Sequence, residues 1–171
     1  EFSAWGVSPD LRLKPEIAAP GGEVFSSIPN GAYEQSSGTS MATPQMAGVS
    51  TIVLQRVQSD PLFASMSARQ KADVVQNLIM GTARPLTDAA QTTGALYSPR
   101  KQGAGLVDAL AATTSSVYPT VVGAPEQSRP KADLGDGTKG WHFDVTLHNL
   151  SGVPATYELS SQALSEIVDG G

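Results

Sequence analysis

From about Thr39 to Val57 the chain is apolar nearly all the way round, with Met41, Ala42, Ala47, Val49, Ile52, Val53, Leu54 and Val57 too widely distributed to form one stripe. That pattern predicts a helix buried inside a domain rather than lying on it, with Gly48 allowing a close neighbour. Pro44 suits such a helix only in the first turn, where its missing N–H costs nothing. Ser40 then stands at the helix N-terminus. A second helix is predicted over Ser67 to Ala83, with Ser67 as N-cap, Ala68, Ala72, Val75 and Ile79 at one-face spacing, and Gly81 and Pro85 as stops. A glycine-rich turn, Gln102-Gly103-Ala104-Gly105, leads into an expected short helix from Leu106 to Ala112.

The remaining texture is extended. Residues 1–38 are short apolar pieces cut by Pro9-Asp10, Pro15, Pro20-Gly21-Gly22 and Pro29-Asn30-Gly31, which predicts brief strands and tight loops. Past Ser116 the period becomes two: Trp141, Phe143, Val145 and Leu147 alternate with His142, Asp144, Thr146 and His148. This predicts a strand buried on the tryptophan face with both histidines turned outward and solvated. With Val117 to Val122 before it, and Ala155, Tyr157 and Leu159 opening another run, the segment reads as the opening hairpin of an antiparallel sandwich.

Composition narrows the function. Eleven Lys and Arg against 16 Asp and Glu give a net charge of −5 with no basic cluster, so nucleic acid is not expected as a partner. No run reaches the roughly 18 apolar residues of a membrane span. The absence of cysteine removes thiol chemistry and thiolate zinc sites.

Candidate chemistry concentrates at Ser37-Gly38-Thr39-Ser40-Met41-Ala42. A serine hydroxyl becomes a nucleophile when a base takes its proton and donors receive the oxyanion. Free N–H groups and the positive dipole end of a helix serve the second need, and small neighbours let a substrate backbone approach. Serine at a helix start is, however, ordinarily a cap. An esterase-type Gly-x-Ser-x-Gly elbow needs an acid and then a histidine downstream on loops of one sheet. The only downstream histidines lie in the predicted hairpin, which disfavours it.

The stretch Gly38-Thr39-Ser40-Met41-Ala42-Thr43-Pro44-Gln45-Met46-Ala47-Gly48 resembles the nucleophile block of the subtilisin-like serine peptidases position by position. Leu13-Lys14-Pro15-Glu16-Ile17-Ala18-Ala19-Pro20-Gly21 is similar to that family's Lys-Pro-Asp strand and turn, and Gln102 to Ala109 to its closing Gly-x-Gly helix. Glu16 replaces the usual Asp and Gln45 the usual His. The resemblance implies an α/β fold: the C-terminal portion of a subtilisin-like parallel-sheet domain over residues 1–115, with strands near Trp5 and Ile17, followed by a partial fibronectin type III-like β-sandwich over 116–171. The order is similar to that of Gram-positive cell-envelope proteinases of the lactocepin-like group.

The resemblance further implies that Ser40 is the acylated nucleophile and its own N–H an oxyanion donor, with Thr39 and Met41 supporting the hole. Ser36, Ser37 and Gly38 would line the leaving-group side of a cleft taking a protein or peptide substrate. The family triad runs Asp, His, Ser along the chain, and only 39 residues precede Ser40. The acid, the histidine and the oxyanion asparagine are therefore expected from an N-terminal part of the catalytic domain, itself a required partner. These 171 residues are expected to be inactive alone, and unstable or self-associated because the central helix lacks cover. No cofactor is expected; calcium is open to the parent protein, with no site identifiable here. The implied location is secreted or cell-wall associated, with signal and anchor outside this sequence. The alternative reading is a non-catalytic cell-surface protein-binding module.

Overall fold

In the computed structural model, residues 3–9, 12–88, 94–122, 129–132 and 140–162 are described. Their elements run β1 (Val24–Ile28), β2 (Ala32–Ser36), α1 (Thr39–Ser59), α2 (Ala68–Gly81), α3 (Pro99–Gln102), α4 (Ala109–Thr114), β3 (Val117–Val122) and β4 (Asp144–Asn149). Among the described residues no helix is long and apolar enough to cross a membrane.

The core is helical. Val53 and Val57 of α1 meet Val74, Val75, Leu78 and Ile79 of α2, with Phe63, Ala112 and Tyr118 completing the cluster. Burial of this order, roughly 25 cal/mol per Å² of apolar surface, is the main cohesive term. Helix α2 opens with a capping box: the Ser67 hydroxyl accepts the Gln70 N–H at 3.3 Å, and the Gln70 side-chain oxygen accepts the Ser67 N–H at 2.9 Å. Arg56, in the last turn of α1, donates to the carbonyls of Ala112 and Ser115 at the end of α4, satisfying acceptors a helix terminus leaves free.

Four expectations for residues 1–115 are corrected. Helix α1 is not enclosed: Ile52 is 53% exposed and only Val53 and Val57 are fully buried, because the core packs against one side of it, where Met46, Val49 and Leu54 are partly covered. Pro44 lies in the second turn, not the first; the i→i−4 bond it cannot make is the one to the Ser40 carbonyl. The helix expected from Leu106 begins instead at Ala109, with the Asp108 carboxylate accepting the Ala111 N–H at 2.9 Å. Leu106 is extended, bridging Ala18 in parallel and Arg84 antiparallel. A Cβ on Gly103 would sit 2.3 Å from the Glu16 carbonyl carbon, and one on Gly105 2.3 Å from the Arg84 oxygen. The glycine-rich turn therefore exists to let backbones cross, and that crossing delays the helix. Among the described residues no strand forms near Trp5, and Ala18 contributes a single bridge where a strand was expected near Ile17.

The sheets among the described residues are two antiparallel hairpins, β1–β2 and β3–β4. The second corrects the expected orientation of β4. Tyr118 pairs with His148 in register, so both side chains share a face. Tyr118 is buried, and the two rings stack at 4.5 Å with an interplanar angle of 10°. His148 Nε2 also lies 2.8 Å from the Thr120 hydroxyl. His148 is thus half-buried, while Val145 and Leu147 are about as exposed as they are covered, at 50% and 47%. His142 remains solvated, 3.4 Å from Asp144. Trp141 and Phe143 fall before the strand, and the run through Leu159 forms no strand.

Candidate active site

Two elements build the site. The Pro29-Asn30-Gly31 turn, with Asn30 and Gly31 at φ of 68° and 70°, closes β1 on β2 in the register Val24↔Ser36, Ser26↔Glu34, Ile28↔Ala32. Those pairs occupy one face of the ribbon. Phe25 and Tyr33 stack on the other, at 5.6 Å. The first face and the opening turns of α1 enclose a cleft of about 390 Å³, where Ser36 and Glu34 stand across from Ser40, Met41, Pro44 and Gln45.

The chain reaches Ser40 through a narrow passage. Gly38 adopts φ 156° and ψ 167°, a region open essentially only to glycine. Its N–H donates to the Gly21 carbonyl at 2.7 Å, and a Cβ on Gly21 would stand 2.6 Å from the Gly38 oxygen. The Gly38 carbonyl accepts the N–H groups of Met41 and Ala42 at 3.0 and 3.3 Å. The Thr39 and Ser40 N–H groups, and the Ser40 hydroxyl, have no partner among the described residues. At the start of a 21-residue helix these unspent donors carry the positive end of its dipole. Given a base to take its proton, an exposed hydroxyl in this position can be acylated, and the adjacent free N–H can receive the oxyanion that forms on the way.

Ser36, Ser40 and Met41 line the cleft. Ser37 turns its hydroxyl to accept the Glu23 N–H at 2.8 Å, Gly38 supplies backbone only, and the Thr39 carbonyl receives the Thr43 hydroxyl at 2.9 Å. Neither histidine lines the cleft. Glu34 was not singled out by the sequence, and Gln45 only as a departure from the block that its stretch resembles. Glu34 was legible in principle, since Glu-Val-Phe-Ser-Ser-Ile-Pro-Asn-Gly-Ala-Tyr-Glu-Gln-Ser alternates about a turn and puts it on the Ser36 face.

Residues 1–105 match the family model described as the Subtilase family. The chain belongs to the subtilase family. Subtilase relatives include the C5a peptidase of Streptococcus pyogenes, 32% identical over 169 residues, a match spanning 99% of this chain and 14% of that protein. The PII-type proteinase of Lactococcus lactis subsp. cremoris is 34% identical over 168 residues, spanning 94% of this chain and 9% of its own length. This subtilase chain therefore corresponds to a small share of the curated relatives it matches. A solved structure, the prenylagaramide maturation protease PagA, is 28% identical, with a TM-score of 0.46 over 66% of this chain and 36% of that one.

Proposed function

We propose that this chain supplies the nucleophile of a serine endopeptidase whose acid and base come from another part of the parent polypeptide. The observation that carries this reading is the Ser40 hydroxyl, unpartnered in a cleft at the N-terminus of α1, in a chain belonging to the subtilase family. A base removes the Ser40 proton as Oγ bonds to the scissile carbonyl carbon. The carbonyl oxygen takes the negative charge beside the Ser40 N–H, the C–N bond breaks, and the amine departs with the proton. Water then releases the acyl group along the same path.

Thr39 and Met41 support the oxyanion side, and Ser36, Ser37 and Gly38 border the leaving-group side. Neither histidine lines the Ser40 cleft, and His148 stacks on Tyr118 and lies 2.8 Å from the Thr120 hydroxyl, which supports the reading that the chain is inactive alone. Within this reading residues 1–115 complete a parallel-sheet catalytic domain, and 116–171 start a sandwich whose first hairpin is β3–β4. Relatives named as peptidases and proteinases support a protein substrate. Their Streptococcus and Lactococcus sources support a secreted or cell-wall location. No cofactor is required.

The test is casein hydrolysis by the full-length parent and its Ser40→Ala variant. In subtilisin itself, loss of the serine lowers kcat by roughly 10⁶-fold, and a fall of that order is expected. Equal hydrolysis by both proteins would contradict the reading.

A further inference from the structure

The cleft that contains Ser40 is lined by apolar, hydroxyl and amide side chains, with one exception. Among the described residues Glu34 is the single ionisable residue on its wall. Its strand position is fixed by the β1–β2 register, which pairs it with Ser26 and places it two residues from Ser36, on the face turned toward Ser40. No lysine, arginine or histidine among the described residues forms an ion pair or hydrogen bond with its carboxylate, although Lys14, Lys131 and Arg129 all converge on Glu16 elsewhere. A carboxylate left without an internal partner, on a wall otherwise uncharged, creates a local negative potential that a bound chain meets on entering.

We propose that Glu34 selects substrates, favouring a peptide that places a Lys or Arg side chain against this wall. The apolar contacts offered by Val24, Ile28 and Met41 accept the methylene stem of such a residue, and the carboxylate takes its cationic head. This rests on the cleft being the substrate cleft of the serine peptidase described above. Because Glu34 is exposed, the pairing is partly screened, and the preference is a modest one: roughly 2- to 5-fold over a neutral residue of equal length, as for other exposed ion pairs. Rising salt weakens it.

The experiment is affinity selection from a randomised peptide library on immobilised full-length parent carrying Ser40→Ala, compared with the same protein also carrying Glu34→Gln or Glu34→Lys. The expected result is enrichment of Lys and Arg at one peptide position with Glu34 present, loss of that enrichment with Glu34→Gln, and a shift toward Asp and Glu with Glu34→Lys. Absence of enrichment, or the same enrichment in all three proteins, overturns the proposal. Cleavage of the same library by the unaltered parent is scored separately: failure to cleave counts against the peptidase reading, while the binding comparison still decides the role of Glu34.

Discussion

The side-chain amide of Gln45 donates to the Pro20 carbonyl at 2.8 Å, tying the second turn of α1 to the turn that leads into the β1–β2 hairpin. The bond links the helical wall of the Ser40 cleft to the segment that leads into its other wall. Gln45→Ala removes it and leaves a carbonyl for water to satisfy, a loss of about 0.5–1.5 kcal/mol. Thermal unfolding of the full-length parent should show this as a drop of a few degrees in Tm, with slower acylation of Ser40. An unchanged Tm would mean that the bond does not hold the walls together.

Gly21→Ala drives a methyl group to within 2.6 Å of the Gly38 carbonyl oxygen. Backbone cannot yield as a flexible side chain would, so the expected cost is about 1–3 kcal/mol, taken at the residue that positions the entry to Ser40. Gly38→Ala forces a side chain into φ 156° and costs about as much. Both variants should lose kcat in casein hydrolysis more than they raise KM. The reverse split would place the strain away from the reacting hydroxyl.

Part of the local structure, including the place of Ser40 at a helix start, was legible in the sequence. Ser40 at a helix start, the Ser67 cap and the β3–β4 pairing all follow from local signals: an apolar run after a Gly-Thr-Ser step, a capping residue and a period of two. What escaped was set by distant partners. The Leu106 segment carries a helical pattern, yet Ala18 and Arg84 capture its backbone in extended form. The alternation about Val145 gave the correct period, but the burial of Tyr118 chose the face, and with it the position of His148. Glu34 is an ordinary strand carboxylate until the hairpin register turns it toward α1.

Glu16 gathers three cations: Lys14 and Lys131 at 3.2 Å each, and Arg129. Burial by itself raises its pKa, but hydrogen bonds from Lys131 and Lys14, with the charges of Arg129 and Lys14, outweigh it and hold the carboxyl below its usual 4.5. A carboxylate depressed in the folded state contributes stability above its unfolded pKa and loses it as pH falls through the folded one. The stability advantage of the native protein over Glu16→Gln should therefore be full near neutrality and shrink progressively below about pH 4.5. Denaturant titrations of both proteins across that range check it; an advantage that grows on acidification would reverse the assignment.

Met41 lies on the cleft wall with its sulfur 3.8 Å from where a Gly38 Cβ would stand. Oxidation to the sulfoxide adds a polar oxygen beside the proposed nucleophile, Ser40. Peroxide treatment should lower activity of the parent and spare Met41→Leu, with peptide mapping assigning the added oxygen. Equal inactivation of both would locate the sensitive group elsewhere.

The most direct measurement is covalent labelling of the full-length parent with a fluorophosphonate, followed by mass-spectrometric mapping. The account predicts one phosphonylated residue within this region, Ser40, and none there in Ser40→Ala. An active parent whose label sits on another serine, with Ser40 unmodified, would contradict it.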